Sequence, residues 1–78
     1  MRPGRDPATL RAIADELDRE ARVSERRSHS LFAFAQEAPT DIARSDRRES
    51  ARGYEGRGLL ARAIARRLRT RATRSERS

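Results

Sequence analysis

From Pro7 to Pro39 the chain places an apolar or small residue at every third or fourth position: Leu10, Ile13, Ala14, Leu17, Ala21, Ser24, Ser28, Leu31 and Ala35. That is the period of one face of an α-helix, not the alternation of a strand. Asp6-Pro7 supplies the start, because the carboxylate can accept from the free N–H groups of the first turn and proline there gives up only a donor without a partner. The pairs Asp15/Arg19 and Asp18/Arg22 stand four apart with the acid first, the orientation that supports a helix. Pro39 disfavours helical geometry in the residue before it, so the helix is expected to end near Glu37 or Ala38. Its weak point is Ser28-His29-Ser30.

After Pro39 a second helix is expected to open at Thr40, with Asp41 in its first turn, and to run toward Gly53. Gly53-Tyr54-Glu55-Gly56-Arg57-Gly58 reads as a turn or hinge. A third helix then spans Gly58 to Ala72, with Leu59, Leu60, Ala63, Ile64 and Leu68 on one broad face. The arms on either side of Pro39 match in length at about 1.5 Å per residue, which predicts an all-α helical hairpin or small helix bundle with a long first helix and an interrupted second arm. Residues 7–72 form the single helical domain of this reading, 1–6 a mobile arm and 73–78 a basic tail.

Leu, Ile, Val and Phe together number only 12 of 78 residues, while 40% are charged. So little apolar side chain excludes a large solitary core, and without cysteine no disulfide adds stability. Burial and the entropy of ordering are then of similar size, and the fold is expected to be completed by self-association. Phe32 and Phe34 point to nearly opposite sides of one helix, so a single hairpin partner cannot cover both rings. The self-association residues of this reading are Leu10, Ile13, Leu17, Leu31, Phe32 and Phe34, and the expected state is a homo-oligomer.

The charge is unevenly placed. All 19 basic residues are Arg, the net charge is +7, and residues 57–78 hold eight Arg against the single acid Glu76. Arg62, Arg66 and Arg69 form one stripe at helical spacing, and Arg67, Arg71 and Arg74 another. Beyond Leu68 no apolar anchor is apparent, so this end is expected to project as a charged arm. Such an arm suits phosphate backbones and needs no base-reading residue. The expectation is a small basic binding protein that contacts nucleic acid, or another polyanionic surface, through these six arginines. The rival is a protein-interaction or assembly module that docks on a larger protein or particle and pairs its Arg with carboxylates.

Other classes fare worse. His29 has Glu25 one turn before it and serines on either side, but no group converges with them to make a nucleophile, and the chain is not read as an enzyme. One His without Cys does not supply a transition-metal site, and no cofactor or small-molecule substrate is expected. The glycines at 53, 56 and 58 lack the Lys-Ser/Thr of a P-loop. Thr9-Leu10-Arg11-Ala12-Ile13-Ala14-Asp15-Glu16-Leu17 resembles the first helix of bacterial helix-turn-helix domains, and Val23-Ser24-Glu25-Arg26 the start of their recognition helix. Those domains join the two by a tight turn, whereas Asp18 to Arg22 adds a helical turn and continues the amphipathic pattern. No stretch approaches the ~18 apolar residues of a membrane span, and the chain is read as soluble and cytoplasmic.

Overall fold

The computed structural model describes residues 6–77, and the expected mobile arm, apart from Asp6, lies outside them. Two helices, α1 (Pro7–Gln36) and α2 (Asp41–Arg77), pack against each other along their length as an antiparallel hairpin of 58 × 18 × 13 Å. The expected all-α hairpin is what the chain forms.

The ends follow from local chemistry. Asp6 caps α1, its Oδ2 accepting from Thr9 N at 3.1 Å, with Pro7 at the first position. At the far end Glu37 N donates to Phe34 O and Ala38 N to Ala35 O, closing the last turn before Pro39. Thr40 caps α2, its Oγ1 accepting from Ala43 N at 3.1 Å. The connection is therefore only Glu37 to Thr40, which forces the helices to lie side by side.

The seam between them is built from small residues at strict seven-residue intervals. Ala14, Ala21, Ser28 and Ala35 are buried on α1, and Ala51, Gly58, Ala65 and Ala72 on α2. With these as heptad position a, the d positions Leu10, Leu17, Ser24, Leu31 and Ala38 flank the seam on α1, and Arg47, Tyr54, Ala61 and Leu68 flank it on α2. Among the described residues Leu10 is the only large side chain in the core. Small residues let two backbones approach closely, so dispersion between main chains replaces the interdigitation of large side chains.

This seam corrects several expectations. The second arm is uninterrupted: α2 runs through Gly53, Gly56 and Gly58 without a hinge. Gly58 sits in the seam against Ala21 and Ser24, and packing at Ala51 and Ala65 on either side carries the helix across. Nor does α1 break at Ser28-His29-Ser30, because Ser28 is itself a seam residue. The broad face of the supposed third helix is turned outward, with Leu59, Leu60, Ala63 and Ile64 exposed and Leu68 half-buried. Finally, α2 does not project beyond Leu68. Ala72 is fully buried, and Arg11 of α1 bonds both Thr73 and Glu76, so the helix stays docked to Arg77.

Candidate nucleic-acid interface

The two edges of the hairpin differ in character. On one edge the e positions of both helices meet as a ladder of ion pairs. Arg62 grips Glu25 with two bonds, Nε to Oε1 at 2.5 Å and Nη2 to Oε2 at 3.0 Å. Arg69 reaches Asp15 Oδ1 at 2.8 Å and Asp18 Oδ2 at 2.7 Å. Arg11 pairs with Glu76 at the open end. Hydrogen bonding from Arg62 holds the Glu25 carboxyl below the usual range, and Arg62 and Arg69 are raised by their bonds to Glu25 and to Asp15 and Asp18 respectively. The expected pairs Asp15/Arg19 and Asp18/Arg22 do not form, since both acids turn across the seam and Arg19 bonds Glu16 instead.

The ladder opens onto a groove on the C-terminal half of α2. Arg62, Arg66, Arg69, Arg74 and Arg77 line it, with the hydroxyl-bearing Thr70 and Thr73 between them and Asp18 as its one acid. The six arginines singled out in the sequence thus divide into two kinds. Arg62 and Arg69 spend their donors on α1 carboxylates. Arg66, Arg67 and Arg71 are exposed and their guanidiniums make no hydrogen bond or ion pair among the described residues, and Arg74 lines the groove with Arg66. Residues 57–77 lie against the near-neutral first half of α1, so the open end of the hairpin keeps most of the positive charge.

Sequence reasoning missed Thr70, Thr73 and Arg77. They follow Arg66 at steps of four, three and four, the same spacing that defines a helix stripe, but hydroxyls were not counted with the guanidiniums.

The opposite edge carries the g positions. Arg27 of α1 and Arg57 of α2 both approach the Tyr54 ring, at 5.6 and 5.4 Å from its centre, and Arg47 lies 3.4 Å over Phe34 while donating to the Phe34 carbonyl. Of the residues expected to drive association, Leu10 is buried in the seam, Leu17, Leu31 and Phe32 are half-buried, and Ile13 and Phe34 are exposed. His29 is exposed, and no group of three potential metal ligands occurs among the described residues. No described helix is long and apolar enough to cross a membrane.

Comparison with protein-family models, with curated proteins and with solved structures gives no match to any of the three.

Proposed function

We propose that this chain is a small basic hairpin protein that binds the phosphate backbone of nucleic acid without reading bases. The observation that carries the reading is the groove on α2, where guanidiniums and two threonine hydroxyls share one face of a rigid helix. Guanidinium offers a planar fork that matches phosphate oxygens, and a threonine hydroxyl can donate to the same group. Arg62 and Arg69, committed to Glu25, Asp15 and Asp18, hold the face in place, while Arg66, Arg67, Arg71 and Arg74 supply the contacts.

Neutralising phosphates releases their counterions, so with about four contacts log affinity for duplex DNA should fall against log salt with a slope of roughly −3 to −4. Fluorescence anisotropy on labelled duplexes of unrelated sequence, titrated over salt, measures this. Similar affinity for all the duplexes supports the reading. Equal binding to a non-phosphate polyanion of matched charge density would replace it with docking on an acidic protein surface, and so would no binding to nucleic acid at ~50 mM salt.

A further inference from the structure

Asp18 is held differently from the other acids of the ladder. Glu25 takes Nε and Nη2 of Arg62, and Asp15 takes Nη2 of Arg69. Nη1 of both guanidiniums is turned to Asp18 instead, that of Arg69 2.7 Å from Oδ2 and that of Arg62 4.0 Å from Oδ1. Only the first is short enough for a hydrogen bond, so the planar carboxylate engages one guanidinium and falls short of the other. The Asp18 side chain is also the least exposed acid of the ladder, at 20% against 41% for Glu25, 50% for Glu76 and 60% for Asp15. It is the one acid that lines the groove. We infer that Nη1 of Arg62 and Nη1 of Arg69 form a site for one phosphate oxyanion, which the Asp18 carboxylate occupies and so closes.

The two arginines do not depend on Asp18 for their position. Glu25 and Asp15 hold their other nitrogens, so with Asp18 withdrawn the two Nη1 atoms stay aimed at the place it leaves, and a ligand entering there need not order them. A phosphate group fits that place better than the carboxylate does. Its oxygens are arranged as a tetrahedron, which reaches two guanidiniums that a planar group cannot engage together, and charge-assisted bonds from arginine to phosphate are among the strong ones. It also lies in the groove with Arg66 and Arg74, which the carboxylate, tethered to α1, does not bond. Asp18 thus acts as an internal stand-in for phosphate. While it is in place the hairpin offers only the arginines of the outer face, and one further phosphate contact is withheld.

The site deepens the proposed function, on which it rests for its nucleic-acid ligand alone, and two arms of one experiment separate that ligand from free phosphate. In the first, wild type and Asp18→Ala are melted in ~50 mM inorganic phosphate and in chloride of equal ionic strength, since a ligand of the folded state raises its melting temperature. Phosphate should raise Asp18→Ala by about 5 °C or more over chloride, as for a ligand at a few times its Kd, and leave wild type within about 1 °C. Adding Arg69→Gln to Asp18→Ala should abolish the rise. In the second arm, Asp18→Ala should steepen the salt slope for duplex DNA by about 0.9, the share of one more phosphate. Glu20→Ala, an equal change of charge at a g position on the opposite edge, should leave the slope as it is. An equal phosphate effect in wild type and Asp18→Ala overturns the inference, and so does a rise that survives Arg69→Gln. Stabilisation by phosphate without binding of DNA keeps the site and overturns the proposed function instead, and stabilisation with an unchanged slope assigns the site to free phosphate. If Asp18→Ala does not fold, Asp18→Asn, which keeps the size of the side chain, replaces it in both arms.

Discussion

Gly58 of α2 lies against the backbone of Ala21 in α1: a methyl group placed on Gly58 would sit 3.4 Å from the Ala21 carbonyl oxygen and 3.4 Å from Cγ of Glu25. These are ordinary van der Waals distances, so the seam has room for one carbon and no more. Gly58→Ala should therefore keep the hairpin and gain up to about 1 kcal/mol from helix propensity. Gly58→Leu should push the helices apart and cost about 1 to 3 kcal/mol. Urea melts followed by circular dichroism check both. Gly53→Ala, where nothing stands within 4 Å, gives the propensity gain without any packing change.

Ser28 occupies an a position that holds Ala elsewhere on α1, and its buried hydroxyl oxygen has no hydrogen-bond partner. A buried polar group without a partner costs about 1 to 3 kcal/mol. Ser28→Ala should raise the melting temperature, and Ser28→Val should lower it by overfilling the seam. A lower melting temperature for the Ala variant would mean that the hydroxyl is satisfied in solution.

Acid should loosen the ladder. The carboxyl of Glu25 titrates below its unfolded value because Arg62 hydrogen-bonds its charged form. A depressed carboxyl contributes stability that is present above its unfolded pKa and lost as pH falls through the folded one. Thermal melts should therefore hold steady from neutral pH to about pH 5 and decline below about pH 4, using the ordinary Glu value as the upper bound. Glu25→Gln should start from a lower melting temperature and show a smaller decline.

The two kinds of arginine should separate by mutation. Arg66→Gln with Arg67→Gln should reduce the salt slope for DNA binding by about 2, since two phosphate contacts are lost, and leave the melting temperature unchanged. Arg69→Gln removes the bonds to Asp15 and Asp18 and should act in the reverse order, lowering the melting temperature with little effect on the slope. Comparing both variants by anisotropy and by thermal melts tests the division.

Much of the hairpin was legible in the sequence. Asp6-Pro7, Pro39 and Thr40 fix helix ends through local capping chemistry, which needs no knowledge of the partner helix. The three- and four-residue steps from Leu10 to Ala35 already held the a and d positions of α1. The α2 seam was harder to read, because Ala51, Gly58, Ala65 and Ala72 are visible only when small residues count as core. With large residues taken as the core, Leu59, Leu60 and Ile64 were turned inward and the glycines became a hinge. The groove was half legible for a related reason. Helix spacing places Arg62, Arg66 and Arg69 on adjoining faces, but which of them meets an acid depends on the register between the helices, set by the four-residue connection.

The seam does little to help the connection set that register, because near-identical rungs are almost indifferent to translation: sliding α2 by seven residues again sets small side chains against small. The ladder beside it is not indifferent. In the observed register Arg62 faces Glu25, Arg69 faces Asp18 and Arg11 faces Glu76. A slide of one repeat in one direction keeps one pair, Arg62 with Asp18, but carries Arg69 to Arg11, and in the other it keeps Arg69 with Glu25 but carries Glu76 to Asp18 and strands Arg62 at Phe32, so only the observed register satisfies all three rungs. The charged edge thus acts as a vernier beside an indifferent seam, favouring the same alignment that the short connection sets.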